Sequence, residues 1–351
     1  MTTPEGRAPG LSFLTFVPYA AAGQAAALRD AIDLFAFAES LGYDTGWVRV
    51  RHFERYLSSP LTFFAAVGER TRTIRLGTAV LPMRYVDPVT LAEDAATVDL
   101  LTGGRLELGV AGGIAPMAPV LDAVFGASPR TFADEAQHRL ARLLAALRGE
   151  PVVVLEADGP YGRAGDALRV MPPAPGLADR VWGGPGSRAS AERTGRQGLN
   201  LLVSTLNTED TGQSFEEGQR DQIRAYKAAF DVPGRSPRVT AGRIVLPAVT
   251  PADDALFRDY IEWYGNRFDA GGRPRDGSLG VFSRTHHGRP DDVVASLRAD
   301  VALAEATGLD VVLPADATAE MSRRILENVV THVAPALGWV PPGDRGPASG
   351  R

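Results

Sequence analysis

The sequence contains no cysteine, which excludes disulfides, thiolate nucleophiles, iron–sulfur clusters and cysteine-ligated zinc together. Lysine is almost as scarce. Lys227 is the only one and lies in a charged stretch of helical character, so Schiff-base chemistry and the lysine of a P-loop have almost no candidate. No HExxH, GxSxG or EF-hand spacing occurs, and no metal site is expected. No run reaches about 18 consecutive apolar residues, and residues 1–10 carry no apolar stretch behind a basic start. Neither membrane spanning nor secretion is therefore indicated, and a cytoplasmic location is expected. There is also no basic excess: 37 Lys+Arg against 42 Asp+Glu leave a formal charge of -5. Such a chain has no overall field to gather nucleic acid or an anionic bilayer, and small molecules are the expected partners.

What is present is an alternation of short β-type runs with amphipathic helices, spread over 351 residues that are 44% hydrophobic. Residues 11–17 read as a strand, and Leu28, Ile32 and Phe35 then share one helical face that Gly42 can end in a left-handed conformation. Strands over 45–50 and 74–80 flank a helix over 60–70. Asp87 before Pro88 is an N-cap with proline in the first turn; Leu91, Ala95 and Val98 mark one face, and Gly103 closes the helix before a strand over 105–110. A helix over 131–148 leads into a Pro/Gly-rich passage, 151–175, that reads as a hairpin. Strand 180–184, helix 187–197 and strand 199–204 restore the rhythm, and the polar stretch 205–218 reads as a mobile active-site loop. Beyond it follow a helix to 230, strand 238–246, helix 251–263, a glycine-rich loop over 271–280, helix 290–307, strand 309–313 and helix 318–333. About eight strands without a long linker predict an α/β fold, one (β/α)8 TIM barrel over residues 11–340 with an insertion after the fourth strand. Residues 1–10 are expected to be flexible and 341–351 disordered.

In such a barrel the chemistry belongs at the C-terminal ends of the strands. Four ends stand out: Val48 to Phe53, Gly77 to Pro82, Gly109 to Gly113, and Gly183 to Ser190. In the last, a strand enters a glycine turn at Gly184 and Gly186, and Ser187 sits where a helix N-cap belongs. The N–H groups of Arg188, Ala189 and Ser190, two serine hydroxyls and the Arg188 guanidinium would receive a phosphate. The same segment reads equally as an ordinary capped helix. A dinucleotide fingerprint fits poorly, because Pro185 lacks an N–H and the next strand ends in Ser204-Thr205 with no acidic residue. Thr78-Ala79 and Gly112-Gly113 offer small residues against which something planar can lie, or else plain core packing and a turn. Arg51 and His52 form a polar pair. Histidine can move protons near neutral pH, and arginine can hold an anion.

In this order and spacing, these strand ends resemble the luciferase-like flavin-dependent monooxygenases, barrel enzymes related to bacterial alkanal monooxygenase. The resemblance rests on Leu41 to Val48 leading into His52-Phe53, Arg75 to Pro82, Asp87-Pro88-Val89, Asp99 to Arg105, Gly183 to Ser190 and Thr331 to Pro335. It implies reduced FMN at the barrel mouth, delivered by a separate flavin reductase and used with molecular oxygen, and commonly a homodimer. It also implies that Thr78 and Ala79 border the flavin ring beside a non-proline cis peptide, with Gly186, Ser187 and Ser190 on the phosphate. Two departures stand out. Relatives commonly carry an acidic or amide residue and two histidines where this chain has Val50, Arg51 and His52, and a phosphate-binding arginine where it has Gly112. Aldehyde oxidation with light emission is not expected; Arg51 is expected to hold a substrate carboxylate or the reacting flavin, and Arg188 to compensate for Gly112. A deazaflavin-dependent oxidoreductase on the same barrel and a non-catalytic flavin binder are the alternative expectations.

Overall fold

Buried, β-rich runs separated by capped helices form a ring of parallel strands in the computed structural model, which describes residues 8–20, 22–113 and 115–344. The ring comprises β1 (Gly10–Thr15), β2 (Thr45–Val48), β3 (Arg75–Thr78), β4 (Leu106–Ala111), β5 (Val181–Gly183), β6 (Asn200–Val203), β7 (Val239–Pro247) and β8 (Gly308–Val312). Each pairs with the next, and β8 returns to β1 with Gly10 opposite Gly308. This is the expected closed barrel. Helices α1 (Gln24–Ser40), α2 (Pro60–Arg70) and α3 (Pro88–Leu101) link the first four strands. Asp87 caps α3 as its sequence context requires, accepting from the N–H groups of Val89 and Thr90 at 3.0 and 2.9 Å.

The long connection after β4 holds α4 (Ala118–Phe125), which the sequence pattern did not reveal, α5 (Phe132–Leu147), and an antiparallel hairpin of Val153–Val154 with Ala167–Leu168. Beyond β5 the chain forms α6 (Arg188–Arg196), α7 (Phe215–Ala229), α8 (Pro251–Arg267), α9 (Pro290–Arg298) and α10 (Ala319–Asn328). The helix expected over 290–307 stops at Arg298 because Asp300 turns inward. Its carboxylate pairs with the fully buried Arg243 at 2.7 Å and caps a new turn through the N–H groups of Ala302 and Leu303. The polar stretch 205–218 is not free of structure, since Leu206–Asn207 pairs with Val281–Phe282, and Thr285–Gly288 adds a parallel strand beside the upper half of β7. Of the expected flexible start, Gly10 belongs to β1 and residues 1–7 lie outside the described residues; of the expected tail, Pro342–Asp344 forms a 3-10 turn and residues 345–351 lie outside.

The lumen is filled from its N-terminal end. Glu107 of β4, fully buried, accepts from Arg75 at 2.9 Å, Arg238 at 3.2 Å and the Trp182 indole N–H at 2.5 Å. Trp47 of β2 packs edge-on against Trp182 with centroids 5.4 Å apart. Its indole occupies the space a side chain on Gly77 would need, since a Cβ there would lie 2.1 Å from the ring. Gly77→Ala therefore cannot be accommodated without moving Trp47, and is expected to cost about 3 kcal/mol of stability, read as a lowered denaturant midpoint.

Asp310 of β8 is buried with a single hydrogen-bond donor, the Ser12 hydroxyl at 2.9 Å. Burial raises its pKa to about 7. The folded chain thus keeps a proton that the unfolded chain releases above about pH 4, so the stability this group contributes at low pH is lost as the pH rises through 7. Asp310→Asn should remove that loss. The melting temperature of the variant relative to the natural chain is expected to climb between pH 4 and pH 8, reflecting a difference on the order of 3 kcal/mol, and a flat difference would contradict the assignment.

Candidate active site

Strand alternation sets which side chains reach the mouth. Trp47 faces the lumen, and Arg49, two residues further along and still laddered through its N–H to the Thr15 carbonyl at 2.9 Å, faces the same way at the C-terminal rim. It is half-buried, and its guanidinium has no hydrogen bond or ion pair among the described residues. Sequence reasoning passed it over in favour of its neighbours, although the period of two counted from Trp47 points to it. Arg51 follows where the chain leaves the ladder, its N–H donating to the Leu57 carbonyl. Among the described residues its one carboxylate is Glu54, 3.7 Å from its buried Nε, too far for a hydrogen bond. His52 lies 5.0 Å from the ring of Phe125 on α4, and burial there lowers its pKa, so the imidazole is neutral at pH 7.

The end of β3 is a shelf, but not one that offers a hydroxyl. Thr78 is fully buried, its Oγ donating to the Gly109 carbonyl and accepting from the Gly109 N–H, both at 2.8 Å. Ala79 is buried too, and the Ala79-Val80 peptide is cis. Val80 is the half-buried residue of this segment, and Gly184 lies close against it, since a Cβ there would stand 2.9 Å from Val80 Cγ1. Gly112 and Gly113 turn the chain from β4 toward α4; Gly113 has a φ of 99° and rests against Phe132 and Pro82.

At the start of α6, Ser187 and Ser190 form a reciprocal cap: the Ser190 N–H donates to Ser187 Oγ at 3.3 Å and the Ser187 N–H to Ser190 Oγ at 3.1 Å. The Arg188 N–H does not point at open space, as the sequence led one to expect. It donates to the Glu209 carboxylate at 3.0 Å. The Arg188 side chain is exposed. The loop carrying Glu209 is laid over the helix start by Thr208, whose hydroxyl donates to the Gly186 carbonyl at 2.8 Å, and is held from outside by two hydrogen bonds from Arg273 to Asp210 at 2.7 and 2.8 Å. The positive end of α6 therefore binds an anion, and in this conformation that anion belongs to the chain itself.

A cavity of about 380 Å³ lies between the start of α7 and the end of α8, lined among others by Phe215, Tyr264, Phe268, Phe282, Ser283 and Arg284. Two adjacent histidines here face different surroundings: His287 is exposed at this cavity, while His286 is buried with Nδ1 2.8 Å from Ser296 Oγ, and burial lowers its pKa to about 3. Among the described residues no group of histidines and carboxylates could hold a metal ion, and no described helix is long and apolar enough to cross a membrane.

The model of the luciferase-like monooxygenase family matches residues 10–297. Over 115 residues the chain is 38% identical to a 4-hydroxyprotoasukamycin monooxygenase of Streptomyces nodosus subsp. asukaensis, covering 32% of this chain and 27% of that protein. Over 205 residues it is 32% identical to an F420-dependent glucose-6-phosphate dehydrogenase of Mycolicibacterium smegmatis, covering 55% of this chain and 58% of that one. The chain thus spans less than two thirds of either relative. Among solved structures, the FMN complex of the oxygenating constituent of 3,6-diketocamphane monooxygenase from Pseudomonas putida superposes with a TM-score of 0.70 at 19% identity, over 93% of this chain and 98% of that one.

If Glu209 competes for the α6 start, Glu209→Gln should bind inorganic phosphate and FMN about fivefold more tightly by calorimetry, because a like charge is removed from the anion site. Unchanged or weaker affinity would place the phosphate elsewhere.

Proposed function

Since this chain belongs to the luciferase-like monooxygenase family, we propose that this oxidoreductase is a two-component FMN-dependent monooxygenase acting on a small organic metabolite. The observation that carries the reading is the anion held at the α6 start, on the loop that follows the close Val80–Gly184 contact, where a phosphate and a ring could be received together. The residues fit the cofactor. Ser187, Ser190 and the N–H groups of Ala189 and Arg188 would hold its phosphate once Glu209 swings aside, with Arg188 able to add a charge from the exposed side. Gly112 leaves its side-chain position open, whereas Thr208 of the Glu209 loop fills the space beside Gly186 and Val80 that beside Gly184; Ala79 and Val80 would back the ring, and Thr78 acts through Gly109, fixing the shelf. When bound and reduced by a separate flavin reductase, FMN supplies the activation of molecular oxygen.

The chain's own groups prepare the surroundings. His52, kept neutral by burial against Phe125, can accept a proton from substrate at pH 7. Phe53, Phe125, Tyr85 and Phe132 form a run of ring contacts on that side of the mouth, with Phe53 and Phe125 still exposed, an apolar surface that a bound substrate would cover. Arg51, tied to Glu54 only at 3.7 Å, is free to meet an anionic group. A homodimer, common in the family, is part of the proposal. A second reading, a deazaflavin-dependent hydride transfer on the same helix start, is favoured by the several curated relatives named as F420-dependent dehydrogenases, at 29–35% identity over parts of the chain.

Oxygen uptake with FMN reduced by an added flavin reductase, together with calorimetry for FMN and for the deazaflavin coenzyme, tests the choice. Reduced FMN should bind, oxygen uptake should follow, and Ser187→Ala should weaken FMN binding about tenfold through the lost hydroxyl and cap. Binding and hydride transfer with the deazaflavin coenzyme alone would replace the first reading with the second.

A further inference from the structure

Arginines that line or enter this barrel find acceptors, mostly carboxylates, though Arg105 uses backbone carbonyls and the Thr71 hydroxyl. Arg243 pairs with Asp300, Arg84 with Asp122 and Arg180 with Asp99, and Arg75 and Arg238 share Glu107. Such matching is what desolvation favours, because a cation drawn out of water loses hydration that a nearby anion can replace. Arg49 breaks the pattern. It is half-buried on the lumen side of the β2 rim, it has no ion pair or hydrogen bond among the described residues, and its nearest charged neighbour in sequence is a second arginine. Burial, and then the charge of Arg51, lower its pKa to about 10, with only Glu54 acting in the opposite sense.

The other charged groups packed around this corner do not neutralise it. Glu54 is shared with Arg51 at 3.7 Å, and Asp316, at the end of β8, accepts from the Tyr56 hydroxyl at 3.2 Å. Two guanidinium groups thus stand at one rim of the mouth against a single loosely held carboxylate. A planar guanidinium with unused donors, beside a second whose Nε is only loosely paired to Glu54 and makes no hydrogen bond, suits a two-oxygen anion approached in its own plane. With the cofactor phosphate proposed at the start of α6, which follows β5, this second cationic point is left for another ligand.

We propose that Arg49, assisted by Arg51, receives the anionic head of the substrate, so that the organic molecule acted on carries a carboxylate or phosphate group directed at the β2 rim. This rests on the proposed flavin-dependent reading for the word substrate, but the anion site is testable without it.

The full chain, with and without FMN, is titrated by calorimetry with two matched pairs, benzoate against benzamide and phenyl phosphate against phenol. The natural chain should favour at least one anion over its neutral partner by about tenfold, the pair that does so naming the head group. Arg49→Gln should abolish the preference, Arg49→Lys should keep part of it, and FMN affinity should be unchanged in both. Because the guanidinium has no partner to lose, the Arg49→Gln variant should melt at or above the temperature of the natural chain, whereas a structural arginine would lower it. No preference for either anion, or a preference surviving in Arg49→Gln, overturns the assignment, and a fall in FMN affinity in that variant reassigns Arg49 to the cofactor. An anion preference in a chain that binds no FMN leaves Arg49 standing and removes the flavin reading instead.

Discussion

The indole of Trp47, lodged in the space left by Gly77 above the Glu107 cluster, is the constraint on which the rest depends. It closes the lumen from below with apolar surface, and beneath it one carboxylate satisfies two arginines and the Trp182 N–H. Glu107, Arg75, Arg238 and the Trp182 N–H of this floor are mutually partnered, which rigidifies it, whereas the buried Trp47 indole N–H has no hydrogen bond among the described residues. It also fixes register. With Trp47 inward, the next inward residue of β2 is Arg49, so the packing that fills the barrel is what carries a cation to its rim.

Above the floor, the mouth is organised by anion chemistry at two separate points. The start of α6 is satisfied by Glu209, carried on a loop that is strapped across it by Thr208 and from outside by Arg273. An internal carboxylate at a helix start keeps the N–H groups satisfied while no ligand is there, at the expense of competing with any phosphate that arrives. The β2 rim lacks such a stand-in, and Arg49 keeps its donors unused. Val80, at the end of β3, and Gly184, at the end of β5, meet closely, with no space for a side chain on the glycine.

Much of the barrel is legible in the sequence because its signals are local. Asp87 before Pro88 starts α3, Gly42 at a φ of 87° follows α1, and the strands are short apolar runs. The missed features depend on contacts between distant parts of the chain. The break in the helix after Arg298 comes from Arg243, 57 positions away from Asp300; the pairing of 206–207 with 281–282 joins two stretches that each look like polar loop. At the site, Ser187 and Ser190 were legible as a helix start because capping is a property of adjacent residues. That Thr78 spends its hydroxyl on Gly109, or that Glu209 occupies the Arg188 N–H, is written only in the folded chain.

The central claim is that the start of α6 seats a cofactor phosphate. Phosphorus NMR of FMN added to the chain, with amide spectra recorded in parallel, tests it most directly. A displaced, broadened phosphorus resonance accompanied by movement of the Arg188, Ala189 and Ser190 amides and release of the Glu209 side chain is the predicted result. A phosphorus signal identical to that of free FMN, or a bound signal that leaves those three amides where they were, would contradict it.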